Sequence, residues 1–230
     1  MWIKICGNTN LEDAQLAAEL GADAVGFVFA PGPRQVTAEQ VAHITPHLPE
    51  NVECVGVFHT LDAAEIVAAA QESGLTAVQL HGGVNAELTR QLDQTFNGQV
   101  KLIQTVHWNV DAGDASAALL SQQLKQIAAE DLLNRVLIDS KVGAATGGTG
   151  VPFDWNAAQA ALAEARNGLK LIIAGGLRDD NVANAILRLN PWGVDVSSGV
   201  EARPGKKSPE KVAAFLRAAR NSHPSTERET

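Results

Sequence analysis

Short apolar runs alternate along the chain with longer segments whose apolar positions recur every three or four residues. The runs predict strands at roughly 2–6, 23–29, 52–58, 76–80, 100–106, 135–140, 169–174 and 193–198. Between them, helical patterns fall near 10–20, 37–47, 62–73, 84–95, 114–130, 156–166, 179–188 and 208–220. Capping chemistry marks several helix starts: Asn10 with Asp13, Thr37 with Gln40, and Ser208 before Pro209. Gly21 and Gly74 suit helix ends, where a left-handed backbone is needed.

Regular strand-helix alternation forces parallel strands with helical crossovers, and eight such units can close on themselves. The expected fold is an α/β, single-domain (β/α)8 (TIM) barrel over residues 1–220. An open doubly wound sheet is the alternative, but its Gly-rich turn after the first strand is missing. Cys6-Gly7-Asn8-Thr9-Asn10 carries one glycine. Residues 221–230 are short of apolar anchors and read as a disordered tail.

Composition narrows the function classes. The chain has 230 residues, 45% of them hydrophobic, and a net charge of −8 without a basic cluster, so nucleic acid is not an expected partner. Its two cysteines, Cys6 and Cys54, make neither a disulfide framework nor a metal-ligand set, which points to a reducing, cytoplasmic setting. No apolar run approaches the ~18 residues of a membrane span, and the N-terminus lacks a signal-peptide pattern. A soluble, unprocessed protein is expected.

In a barrel of this kind, active groups gather at the C-terminal ends of the strands. Strand alternation places Trp2, Lys4 and Cys6 on one face and Ile3 and Ile5 on the other, so Lys4 and Cys6 should point inward. A buried lysine needs a carboxylate. Asp195 supplies one if strand 8 closes against strand 1, and the Lys4 cation would then favour the Cys6 thiolate. Taken alone, Cys6 also fits a small buried hydrophobe, and Cys54, at a strand start, fits that role better still.

Asp139 faces the mouth from strand 6, where partial desolvation would raise its pKa toward that of a proton donor; a loop-bracing aspartate is the alternative. Arg34 sits in the restricted loop Ala30-Pro31-Gly32-Pro33-Arg34, placed to grip a carboxylate or merely to be solvated. His81 ends strand 4, fit for acid–base work or for packing. Glycine-bearing loops follow strands 6, 7 and 8: Gly147-Gly148-Thr149-Gly150, Gly175-Gly176, and Ser197-Ser198-Gly199. The last two occupy the recurrent phosphate site of this barrel.

Taken together, Lys4-Ile5-Cys6-Gly7, Val55-Gly56-Val57-Phe58, Val78-Gln79-Leu80-His81-Gly82, Leu137-Ile138-Asp139-Ser140, Ala174-Gly175-Gly176-Leu177 and Val194-Asp195-Val196-Ser197-Ser198-Gly199-Val200-Glu201 run in order through nearly the whole chain. They resemble the phosphoribosylanthranilate isomerases of tryptophan biosynthesis. The resemblance implies an Amadori rearrangement of N-(5-phosphoribosyl)anthranilate to 1-(2-carboxyphenylamino)-1-deoxyribulose 5-phosphate, without metal or cofactor. It implies Asp139 as acid, Cys6 as base, Arg34 on the anthranilate carboxylate and Asp195 near the ribose; His81, at the mouth, is a further candidate substrate contact. Phosphate would lie on Gly175, Gly176, Ser197, Ser198 and Gly199. The partner is then a phosphorylated small molecule, with neither nucleic acid nor membrane, and the assembly a monomer or homodimer.

The loop before Arg34 is one residue shorter than is usual in that family. Sister barrel enzymes on sugar phosphates would share the phosphate loops but not the Cys6/Asp139 pairing, and a non-catalytic phosphate-binding barrel would need no inward polar groups on strands 1 and 6.

Overall fold

The apolar runs become the strands of a closed parallel barrel in the computed structural model, which describes residues 1–112, 114–141, 155–165 and 168–222. In chain order the elements are β1 (Trp2–Ile5), α1 (Leu11–Glu19), β2 (Ala24–Val28), α2 (Ala38–Ala42), β3 (Glu53–Phe58), α3 (Ala63–Glu72), β4 (Ala77–Leu80), α4 (Ala86–Phe96), β5 (Lys101–Asn109) and α5 (Asp114–Glu130). They continue as β6 (Arg135–Lys141), α6 (Trp155–Ala165), β7 (Lys170–Ile173), α7 (Val182–Leu189), β8 (Gly193–Val196) and α8 (Pro209–Ser222). A small antiparallel hairpin, β9 (Glu201–Arg203) with β10 (Lys206–Lys207), lies between β8 and α8.

Closure occurs between β1 and β8, with Lys4 in register with Asp195. Alternation then separates two shells. Ile3, Ile5, Val25, Phe27, Val136 and Ile138 pack outward beneath the helices, while Trp2, Ala24, Val55, Ala77, Ile103, Leu137 and Ile172 fill the barrel. The N-terminal end is plugged: Trp2 stacks on Trp192 at 5.3 Å, the Arg135 guanidinium sits 4.9 Å over Trp192, and Arg135 pairs with Glu53 at 2.6 Å. Ligand access is thereby left to the opposite end.

Local signals account for the element ends. Asn10 Oδ1 accepts from Asp13 N at 2.9 Å, and Thr37 and Gln40 close a reciprocal capping box. Such caps stabilise a helix by about 1 kcal/mol each. The helix expected over 37–47 stops at Ala42, and a separate 3-10 turn follows at Thr45–His47, because Pro46 has no N–H with which to continue the ladder. The helix expected from 179 begins at Val182. Before it, Asn181 Oδ1 accepts from Arg178 N, and its Nδ2 donates to Gly176 O, holding the preceding residues as a loop.

β5 runs three residues past its expected end, paired with β6 as far as Asn109 and Lys141. Asn221 and Ser222, expected in the tail, belong to α8. Residues 223–230, and the loop Gly147-Gly148-Thr149-Gly150 with Phe153 and Asp154, lie outside the described residues.

Candidate active site

The C-terminal strand ends surround a cavity of about 280 Å³, whose lining includes Cys6, Arg34, His81, Asp139, Gly175, Gly176, Asp195, Ser197, Ser198 and Gly199. The ten residues expected to carry the reaction or to hold substrate and phosphate therefore border one cavity. Val28, Pro31, His59, Gln79, Leu137 and Leu177 also contribute walls.

The floor is electrostatic. Lys4 is fully buried; its ammonium lies 3.3 Å from Asp195 Oδ1 and donates to Gln79 Oε1 at 2.5 Å. Gln79 in turn donates to Thr105 Oγ1 at 3.1 Å. Ala77, Gln79 and His81 alternate inward along the strand, but a lone strand glutamine carries no distinctive sequence signal.

Asp139 stands next to this floor. Burial, followed by the Asp195 charge, pushes its carboxyl up to about 7, against the opposing pull of Lys4 and the Ser140 N–H. It can therefore carry a proton near neutrality. His81 Nε2 is 4.0 Å from Asp139 Oδ2, and the His81 ring stacks on His59 at 4.7 Å.

The Cys6 thiol is set by burial against charge. Burial pushes its thiol up, assisted by the Asp195 charge, and outweighs the lowering by Lys4 and Lys207. Lys4 favours the thiolate, as expected, but the desolvation is larger. Cys54, in the outward shell, is raised to about 11 by burial, in keeping with a packing role.

Arg34 is held from outside the strands. Its Nε and Nη2 donate to the Glu201 carboxylate at 2.8 and 2.7 Å, using two of five guanidinium N–H groups while the side chain still borders the cavity. Glu201 also faces the buried Lys207 at 3.2 Å, and Lys207 Nζ donates to Cys6 O at 2.5 Å. The β9–β10 hairpin thus ties Arg34 to the Cys6 backbone. Glu201 and Lys207 carry charges whose partners are set by that hairpin, which the strand-helix pattern did not predict.

The β7 and β8 loops pack closely. Gly175 has φ +84°, and a Cβ there would collide with Ser140, within 2.5 Å of its backbone nitrogen. Only glycine permits the β7 loop to lie against the end of β6. His107 lies beyond the expected strand end at 106, outside the cavity lining, on the face that Ile103 and Thr105 share.

Residues 3–218 match the family of N-(5'-phosphoribosyl)anthranilate (PRA) isomerases. An N-(5'-phosphoribosyl)anthranilate isomerase of Pelobacter propionicus is 40% identical over 219 residues, 95% of each chain. The phosphoribosyl anthranilate isomerase of Thermotoga maritima, 34% identical, superposes with a TM-score of 0.81 over 96% of this chain and 99% of that one. A phosphoribosyl anthranilate isomerase in complex with reduced 1-(o-carboxyphenylamino)-1-deoxyribulose 5-phosphate, also 34% identical, gives 0.78 over the same shares. With its closed barrel and its cavity at the strand ends, this chain belongs to the N-(5'-phosphoribosyl)anthranilate isomerase family.

Proposed function

We propose that this enzyme's Amadori rearrangement of N-(5'-phosphoribosyl)anthranilate, a step of tryptophan biosynthesis, uses Asp139 as general acid and Cys6 as general base. The observation that carries this reading is a carboxyl raised to about 7 in the same cavity as an inward thiol. Asp139 gives its proton to the ribose ring oxygen. The C1–O bond breaks with its electron pair going to that oxygen, and the anthranilate nitrogen lone pair forms the C1=N iminium. Cys6 then removes the C2 proton, the C–H pair forms a C1=C2 bond as the C1=N pair returns to nitrogen, and the enolamine gains a proton at C1 and loses that of its C2 hydroxyl to give 1-(2-carboxyphenylamino)-1-deoxyribulose 5-phosphate.

Since the Cys6 thiol is raised, only a small thiolate fraction is present in the free enzyme. The adjacent iminium acidifies the C2 proton, so a small fraction suffices. The scheme uses no cofactor and no metal.

Arg34 takes the anthranilate carboxylate with the N–H groups that Glu201 does not occupy, and the Glu201 pair preorganises its fork for bidentate contact. Asp195 lines the ribose region, and His81 stands beside the acid. Backbone N–H groups of Gly175, Gly176, Ser197, Ser198 and Gly199 take the phosphate. The barrel acts as one catalytic domain, working in the cytoplasm, where its two free cysteines stay reduced. It is a monomer or homodimer; the Thermotoga maritima relative is a dimeric enzyme from which monomers have been generated.

Turnover of freshly generated phosphoribosylanthranilate, followed by fluorescence, tests the two roles. Cys6→Ala and Asp139→Asn should each lower kcat by about 10²–10⁴-fold. Normal turnover in either variant overturns that residue's role.

A further inference from the structure

Three successive strands each bring an imidazole to the barrel mouth. His59 follows β3, His81 follows β4, and His107 lies in β5, in register with Asp139 on β6. His59 stacks on His81, and His107 meets the His81 ring edge-on at 4.6 Å. One ring nitrogen each from His81 and His107 and one carboxylate oxygen of Asp139 lie within 4.8 Å of one another. His81 Nε2 and Asp139 Oδ2 are the pair at 4.0 Å. Ligands on a tetrahedral zinc ion at 2.0–2.1 Å stand about 3.4 Å apart. A contraction of about an ångström, within the reach of side-chain rotation, would bring the three donors onto one ion.

The tautomer of His107 suits this use. Its Nε2 is 3.3 Å from the carbonyl oxygen of His81, which can only accept, so that nitrogen carries the hydrogen and the neutral ring's lone pair sits on Nδ1. A ring N–H donated to a backbone carbonyl is the outer contact that orients metal-ligating histidines. Two imidazoles and a carboxylate select borderline ions such as zinc, cobalt or nickel over magnesium and calcium. Three protein ligands leave a coordination position for water on the cavity side.

We propose that His81, His107 and Asp139 form a binding site for a divalent transition-metal ion of the zinc class, and that occupancy switches the isomerase off by converting Asp139 from a proton donor into a metal ligand. The metal is an inhibitor here, not a participant in the rearrangement. The inhibitory half rests on Asp139 being the acid; the binding half does not.

Metal-free enzyme titrated with cobalt(II) chloride should develop visible ligand-field bands that zinc chloride abolishes. Zinc should stop turnover, and EDTA should restore it. Loss of an outer contact to a metal ligand already costs about 10–100-fold in affinity, so His107→Ala should weaken cobalt binding by at least about 100-fold. The same variant should keep its metal-free turnover and escape zinc inhibition. His107→Gln, which keeps much of the side-chain volume, repeats the test if the alanine variant does not fold.

Absence of ligand-field bands in the wild type, or wild-type affinity in both His107 variants, overturns the site. Zinc bound at full occupancy with undiminished turnover overturns the inhibitory role. Full turnover by Asp139→Asn would instead place the fault in the acid assignment.

Discussion

Lys4 and Asp195 face each other across the seam where the barrel closes, Nζ to Oδ1 at 3.3 Å, on neighbouring strands in register. The ammonium is fully buried, and its charge acts on Cys6, Asp139 and Asp195 together. A single cation therefore offsets the burial of two carboxyls and a thiol.

Lys4→Met should consequently do two things. It leaves Asp195 without its cation, which costs about 3–5 kcal/mol when one partner of a buried pair is removed. It also deletes the interaction that pulls the Cys6 thiol down, so the thiol should rise further above its ordinary value. Urea denaturation reads the first effect. The second is read from the pH dependence of alkylation in a Cys54→Ser background. An alkylation midpoint that does not move would show that Lys4 exerts no field on the thiol.

The pH profile of kcat/KM follows from the order of the two groups. Asp139 titrates at about 7 and the Cys6 thiol above its ordinary value, so the form active under the proposed roles, with Asp139 protonated and Cys6 ionised, is a minor species at every pH. Below about pH 7 its population grows tenfold per pH unit, as thiolate accumulates while the acid stays protonated. Between the two titrations the gain in thiolate cancels the loss of acid, and the rate is flat. Above the thiol's pKa it falls. A profile that instead declined directly above pH 7, with no plateau, would mean that the thiol ionises before the carboxyl.

How far the site was legible varies by residue, for physical reasons. The inward direction of Lys4, Cys6, Asp139 and Asp195 needed only the two-residue period of a strand, and closure of eight strands paired Lys4 with Asp195. His107 needed the true length of β5, which is set by pairing with β6 and not by local propensity. The Glu201 contacts to Arg34 and Lys207 depend on a hairpin outside the repeat. The direction of the Cys6 shift was the least accessible. It is a balance of desolvation against nearby charge, and sequence reveals the charges but not the depth of burial.

Asp139→Asn should be slowed as above yet gain stability relative to wild type at alkaline pH. An unfolded aspartate titrates near 3.9 and the folded one at about 7, so the wild type increasingly disfavours folding as pH rises between these values. Below that window both states hold the proton and no penalty exists; above it the penalty is complete, at roughly 4 kcal/mol from about 1.4 kcal/mol per unit. Asparagine keeps the shape of the neutral acid and never ionises. Its stability relative to wild type should be greater at pH 8.5 than at pH 5.5 by about 2 kcal/mol. Equal differences at the two pH values would place the Asp139 carboxyl at its ordinary pKa.

Gly26 makes room for Cys6. It lies on the inward face of β2, and a Cβ there would stand 2.7 Å from Cys6 Sγ, 2.7 Å from Lys4 Cε and 3.1 Å from the Cys6 Cα. Gly26→Ala must therefore displace the thiol, the ammonium or both, at an overpacking cost of about 1–3 kcal/mol. Misplacing a reacting group by about 1 Å can lower the rate by about 10²-fold. The effect should fall on kcat more than on KM, because the added Cβ meets Cys6 and Lys4 and neither Arg34 nor the β7 and β8 loops proposed to hold the substrate. Gly168→Ala, where an added Cβ meets nothing within 4 Å, serves as the control and should leave both constants unchanged. If Gly26→Ala raised KM alone, the space at Gly26 would serve substrate binding and not the placement of Cys6.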